Sequence, residues 1–296
     1  MSSFTTPTSG RWPRIMLNIL SLGAGVQSSA VLLMSCKGHL PKLDAAIFAD
    51  TGWEPKAVYK QLEFLKVEAC NAGIPLYVVN NGNIKEDALS SMVRGVVKDS
   101  KSAGKDNKRR VSIPYFTKNE DGSVGMLQRQ CTSEYKIKPV LKKIRELIGL
   151  KPRQHGPKEV VVELWMGISM DEVSRVRDSR QKWIKNYYPL IETLGLNRTG
   201  CLMWLKDNGY PEPSRSACIA CPFHNNHEWR FMKKHKPDEW KDAVEFDKAI
   251  RRFGGLRGDI FVHRSAKPLE EVDLRNDRDR GQMYLWDLEC EGMCGI

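Results

Sequence analysis

Two groups of residues in this 296-residue chain have the types and spacing for chemistry. The first is Ser21-Leu22-Gly23-Ala24-Gly25-Val26-Gln27-Ser28-Ser29. It joins one apolar run, 15–20, to another, 30–34, and so reads as a strand, a glycine-rich turn and the first turn of a helix. The orphan amides of a helix N-terminus and the positive end of its macrodipole face one spot, which suits an anion and phosphate first of all. Glycines allow close backbone approach, and Ser21, Ser28 and Ser29 add hydroxyl donors. Neither the Lys-Ser/Thr of a Walker loop nor an open G-x-G-x-x-G fingerprint is present.

The second group is sulfur: Cys131, Cys201 and the pair in Cys218-Ile219-Ala220-Cys221. Two thiolates at Cys-x-x-Cys spacing reach one metal from a single turn, and lone cysteines elsewhere can complete the set. Tetrahedral zinc and a [4Fe-4S] cluster are equally open to these four ligands; a redox pair or two thiols packed near a turn are the other readings. His224 and His227 follow too closely for a C2H2 finger, which needs about twelve intervening residues, and are expected on the surface at a helix N-terminus.

The elements that must position these residues read as an α/β fold. After the first loop, 44–49 is a second buried strand ending at Asp50-Thr51-Gly52-Trp53-Glu54. Val58, Leu62, Leu65, Ala69 and Ala72 then form one apolar helical stripe, closed by Gly73 and Pro75. A third strand at 76–79 completes a β-α-β-α-β run, and 160–166 (Val-Val-Val-Glu-Leu-Trp-Met) supplies a fourth strand for the same doubly wound parallel sheet. Ligands of such sheets bind at the carboxyl ends of the strands, where the loop after Leu20 and Asp50-Thr51-Gly52 would both lie. The expected organisation is a flexible tail over 1–13, a nucleotide-binding domain over 14–195, and a smaller helical, cysteine-containing region over 196–296.

Composition narrows the function class. No apolar run approaches the roughly 18 residues of a membrane span, and the Ser-, Thr- and Pro-rich start has no secretory apolar centre, so the chain reads as cytoplasmic. Eight cysteines in that setting point to metal or redox chemistry rather than disulfides. A net charge of +11 favours polyanionic partners, nucleic acid leading, with a generally basic nucleotide enzyme as the plainer reading. The stretch 98–110, with Lys98, Lys101, Lys105, Lys108, Arg109 and Arg110, reads as a mobile loop that is either solvated or orders on a polyanion.

The first loop resembles the PP-loop of the ATP-pyrophosphatases, S-x-S-G-G-x-D-S, with Ser21, Gly25, Ser28 and Ser29 matching, Ala24 in place of a glycine and Gln27 in place of the aspartate. Cys131-Thr132 with Lys136-Ile137-Lys138-Pro139, Gly167-Ile168-x-x-Asp171-Glu172-x-x-Arg175, Tyr188-Pro189-Leu190-Ile191, and Cys218 to Phe223 with Glu228-Trp229-Arg230 follow in the order seen in the phosphoadenosine-phosphosulfate-reductase-like branch, phage and bacterial type, of that superfamily (the adenine nucleotide alpha hydrolases). The resemblance runs from about residue 15 to the C-terminus.

The resemblance implies cleavage of ATP between its α and β phosphates, with adenylation of a substrate oxygen and the help of Mg²⁺. It implies a nucleotide site of Ser21, Gly23, Gly25, Gln27, Ser28, Ser29, Asp50, Thr51 and Gly52. Lys136, Lys138 and Arg175 become the cations for developing phosphate charge, and Asp171 and Glu172 hold Mg²⁺ or pair with Arg175. Cys131, Cys201, Cys218 and Cys221 become the ligands of a [4Fe-4S] cluster, zinc being the alternative. Modification of DNA or RNA, such as sulfur incorporation with a sulfur-donor protein as partner, is the leading function. Sulfonucleotide reductases, also similar to this chain, use a Glu-Cys-Gly tail; here Glu289-Cys290-Glu291-Gly292 interrupts it, Cys294 follows, and Cys290 would be the nucleophile. A non-catalytic nucleic-acid-binding module is the third reading. The nucleic-acid face is expected to combine 98–110 with Arg175, Arg177 and Arg180.

Overall fold

A computed structural model describes residues 16–94, 112–252 and 258–275. The expected N-terminal tail, the basic stretch 98–110, Cys290 and Cys294 lie outside the described residues. In chain order the elements are β1 (Leu17–Leu22), α1 (Val26–Cys36), β2 (Ala45–Asp50), α2 (Lys56–Asn71), β3 (Leu76–Asn80), α3 (Ile84–Arg94), β4 (Phe116–Lys118) and β5 (Val124–Met126). A π-helical turn (Thr132–Ile137) leads into α4 (Lys138–Leu147), then come β6 (Val162–Met166), a 3-10 segment (Met170–Arg175), β7 (Ile184–Tyr187), α5 (Pro189–Glu192), α6 (Arg198–Asp207), α7 (Asn226–His235), α8 (Pro237–Ala249) and β8 (Asp259–Phe261). No helix among the described residues is long and apolar enough to cross a membrane.

The chain divides into two compact units, each built from non-contiguous segments. The described parts of Met1–Asp50, Lys56–Val79 and Ile137–Ser216 form the first. Its five-stranded sheet has the order β3-β2-β1-β6-β7, with β1 parallel to both β2 and β6, and β6 parallel to β7. Successive residues of a strand point to opposite faces, so the complete burial of both Ile19 and Leu20 means that β1 is covered on both sides. Leu20 and Leu22 pack with Ala30, Leu33, Leu62, Leu65 and Leu205 of α1, α2 and α6, whereas Ile19 packs with Ile47, Val140 and Ile144 on the α4 side. Helices on both faces of a parallel sheet make this the doubly wound α/β architecture. Strand order runs outward from β1 through β2 to β3 and then restarts on the other side at β6, so the topological switch point lies between β1 and β6. The expected strands at 44–49, 76–79 and 160–166 and the helical stripe of α2 are all present, and β7 is an addition.

The second unit comprises the described parts of Thr51–Pro55, Asn80–Lys136 and Ala217–Ile296. It holds α3, α7, α8 and a three-stranded antiparallel sheet, β5-β4-β8. Its core is aromatic: Trp53, Tyr115, Tyr135, Trp229 and Phe246 are buried together. Asp247, 1% exposed, holds three segments at once, its carboxylate accepting from the backbone N–H of Val262 and Leu269 and pairing with Arg251. The single boundary expected at residue 195 therefore differs from the division found. Chain that leaves the sheet after β2 and β3 contributes to the second unit, and segments up to Ser216 return to the first; such long-range exchange leaves no mark in composition.

His263 stands at the end of β8, 3% exposed. The Ser265 backbone N–H can only donate, so Nδ1 accepts it, and Nε2 carries the proton donated to Asn226 Oδ1 at 3.0 Å. Burial, with the charge of Arg264 adding to it, pulls the imidazole pKa from 6.5 down to about 4. The unfolded chain therefore takes up this proton near pH 6.5 while the folded chain refuses it until about 4. Stability from this group is complete above pH 6.5 and is lost as pH falls, about 2 kcal/mol of it between pH 7 and pH 5. Urea unfolding of the wild type and His263→Gln at both pH values checks this: the variant should lose about 2 kcal/mol less across the interval, and equal losses would contradict the assignment.

Candidate active site

The loop from β1 to α1 is an uncapped helix start. Gly25 occupies the N-cap in extended conformation, with no side-chain cap and no acidic residue in the first turn, so the first amides of α1 have no acceptor from a capping side chain. Ser28 Oγ accepts from Gly23 N at 3.2 Å, which curls the loop around the helix start. The left-handed position is filled not by a glycine but by Ala24, φ +56°, fully buried. Gly23 and Gly25 are absent from the left-handed region among the described residues. A Cβ on Gly23 would come no closer than 3.7 Å to Ser28 Oγ, and one on Gly25 no closer than 3.8 Å to Ser216. Neither backbone conformation nor protein packing demands glycine at these two positions. What they keep clear is space against the backbone amides, which is what a phosphate needs. Ser29, fully buried in α1 with its hydroxyl unpartnered, belongs to the wall behind the loop.

Gly167 is the opposite case. A Cβ there would stand 2.6 Å from Ser28 N and 2.7 Å from its Cα, so the end of β6 rests directly on the first turn of α1. The chain after Gly167 carries the predicted acids. Ser169 Oγ donates to Asp171 Oδ1 at 2.5 Å, the same oxygen accepts Arg198 N at 3.1 Å, and Arg175 Nη1 donates to Glu172 Oε1 at 2.6 Å. Glu172 thus pairs with Arg175, while Asp171 is fixed by a hydroxyl and an amide. Gln27 Nε2 is 3.3 Å from both Ser169 Oγ and Glu172 Oε2. At the end of β2, Asp50 accepts from Tyr59 OH at 2.9 Å. Arg177 and Arg180 are exposed, and Arg177 donates to the carbonyls of Ser174 and Val176.

The sulfur residues fall differently. Cys201 lies in α6 within the apolar core of the first unit, fully buried, with its thiol pushed up to about 12 by burial first and the nearby Asp171 charge second. Cys131, Cys218 and Cys221 belong to the second unit. So do Thr51 and Gly52, expected beside Asp50 in the nucleotide site. Thr51, 1% exposed, donates to Glu54 Oε1 at 3.1 Å and lies 3.3 Å from Cys218 Sγ. A Cβ on Gly52, φ +74°, would stand 3.1 Å from Asn83, and the Gly52 carbonyl accepts from the Asn83 side-chain amide at 3.0 Å. Lys136 Nζ is 3.7 Å from Glu54 Oε1; that carboxylate, with Cys218, Cys221 and Cys131 adding to it, holds the ammonium pKa above its ordinary value despite desolvation. Lys138, the first residue of α4, is exposed.

His224 is not a surface residue: it is buried because Nε2 meets the Cys218 carbonyl at 3.0 Å and the ring packs edge-on against Trp229. His227, by contrast, is exposed in the first turn of α7. Glu54 adds a residue to the expected set: a carboxylate two positions beyond Asp-Thr-Gly and 3% exposed can persist only with partners, and Thr51 and Lys136 are among them. Among the described residues no three His, Cys, Asp or Glu side chains are grouped as a metal ion would require. Cys201, fully buried among the apolar side chains of its own unit, does not fit a cluster ligand.

No protein-family profile and no curated protein matches the chain. Among solved structures it is similar to phosphoadenylyl-sulfate reductase from Candida auris in a phosphate complex, at 12% identity over 70% of this chain and 78% of that one, TM-score 0.38. It is likewise similar to the U34-tRNA thiolase NcsA from Methanococcus maripaludis with its [4Fe-4S] cluster, at 11% identity over 90% and 82%, TM-score 0.37. Likeness at this level assigns no activity to the chain.

The contact of Gly167 with the loop makes a direct prediction. Gly167→Ala must push the α1 start or the β6 end aside, because the atoms its methyl would meet are backbone. If the loop is the phosphate site its amides suit, ATP binding by the folded variant should weaken at least about tenfold, a change of roughly 1.4 kcal/mol in equilibrium titration. Wild-type affinity in Gly167→Ala would show that this backbone contact does not shape the site.

Proposed function

We propose that the chain is an ATP-pyrophosphatase-type enzyme that adenylates its substrate in nucleic-acid modification such as sulfur incorporation. The observation that carries the reading is the uncapped start of α1 at the topological switch point, with two glycines whose only evident use is to leave the amides accessible. Amides, Ser21 and Ser28 would hold the phosphate chain, and Arg175, aimed by Glu172, would meet the charge that builds as the α–β bond breaks. Asp50 and Asp171 would supply the one or two carboxylates that Mg²⁺ takes alongside substrate phosphates, a donor set that fits this ion although no all-protein cage is present among the described residues. Bound there, Mg²⁺ would neutralise phosphate charge.

Lys136, engaged with Glu54 beside the thiols, is read as the cation of that second group. The excess of 47 Lys and Arg over 36 Asp and Glu supports a polyanionic second substrate, DNA or RNA.

Two measurements test the reading. Labelled ATP with mixed cellular RNA or denatured DNA should yield pyrophosphate and AMP, and Arg175→Ala should slow this about a hundredfold, the usual effect of removing one transition-state donor. Sulfite released from an adenylyl sulfate with ATP untouched, and abolished by Cys290→Ser, would replace the reading with the reductase one. Filter binding of oligonucleotides should weaken steeply with salt, and neutralising Lys108, Arg109 and Arg110 together should flatten the log–log slope by up to about three. Absence of binding at low salt would remove the nucleic-acid substrate.

A further inference from the structure

We infer that Gln27 is a positioning residue, a neutral latch that ties the first turn of α1 to Ser169 and Glu172 and through Glu172 sets where Arg175 stands. The inference rests on the reading of this loop as the phosphate site. The sequence suggested instead that Gln27 contacts the nucleotide, because it stands in the phosphate loop where the resembling pattern has an acid.

Hydrogen bonding argues for the latch. A primary amide nitrogen has two protons to donate. Gln27 Nε2 has two acceptors at 3.3 Å, Ser169 Oγ and Glu172 Oε2. Ser169 is fully buried and its own proton goes to Asp171 Oδ1 at 2.5 Å, so its oxygen is free to accept from Gln27. An ionised Glu172 can only accept, which places the nitrogen of the amide, not its oxygen, on this side. Both protons are used within the chain, and the nitrogen has none left for a nucleotide. Glu172 then offers its other oxygen, Oε1, to Arg175 Nη1 at 2.6 Å. The backbone of Glu172 leaves helical geometry (φ −118°, ψ 21°), a break in the turn at the residue that bridges Gln27 and Arg175. A carboxylate at position 27 would set acceptors against acceptors, one of them anionic. The donor at 27 and the acid at 172 therefore form a matched pair, and the Gly167 contact holds the two strands of chain at the distance the pair spans.

The test is a reversal of the pair. Gln27→Glu should lower the kcat for pyrophosphate release at least about tenfold with little change in the KM for ATP, since a misplaced Arg175 affects the charge that develops in the reaction more than ground-state binding. Adding Glu172→Gln restores one donor and one acceptor in exchanged positions, and the double variant should recover at least half of the logarithmic loss. A rise in KM with no rescue would make Gln27 a nucleotide contact and overturn the inference. If the wild type releases no pyrophosphate, the reaction proposed above is wrong. The latch is then decided by ATP binding and thermal melting of the same three variants: additive effects of the two substitutions overturn it, and coupled effects uphold it.

Discussion

The structure depends on the register between β1 and β6. Leu17 to Ser21 run opposite Val162 to Met166, and this pairing delivers Gly167 to the first turn of α1 with no room for even a methyl group. Because side chains alternate faces, a slip of one residue would turn Ile19 and Leu20 each toward the other's core and move Gly167 away from the loop. The burial of both faces of β1 fixes the register, and the register fixes the site. Packing energy in the sheet is thus converted into position at the β1–α1 loop without any charged group in the core of β1.

That arrangement also explains where the polar groups are. At the switch point a segment following β6 reaches residues following β1, so Ser169 and Glu172 can be tied to a residue at 27, more than 140 positions earlier. A second polar group, Thr51, Glu54, Lys136 and Cys218, is assembled in the second unit around a buried carboxylate. Burial of Glu54 is tolerable because a hydroxyl and an ammonium answer it. The first group is hard and oxygen-rich; the second combines thiols with one ion pair.

Much of this was legible in the sequence, and the limits were physical. β1, β2, β3 and β6 are apolar runs bounded by turn residues, and α2 shows its stripe at helical spacing, so local pattern sufficed. The strand, glycine-rich turn and helix start at 17–29 were readable because that succession is a local pattern. The three-residue strands β4, β5 and β8 were not, since strands that short owe their existence to partners far along the chain. The split into units was hidden for the same reason. Cys201 looked like a ligand because a cysteine in sequence carries no sign of its surroundings; its neighbours in space, aliphatic side chains of α1 and α6, make it a core residue. His224 was misread as exposed because its partner is a backbone carbonyl, which no side-chain pattern reveals. The bonds of Gln27 to residues 169 and 172 are likewise long-range and leave no local sign.

The central claim is that the backbone between Gly23 and Ser28 is where phosphate binds. Amide resonances of isotopically labelled protein titrated with ATP test this most directly. The account predicts shifts concentrated at Gly23, Gly25, Val26, Gln27 and Ser28, with smaller ones from Gly167 to Arg175, and the same loop shifts with pyrophosphate alone. Saturable ATP binding that leaves these amides unmoved while shifting others would contradict it.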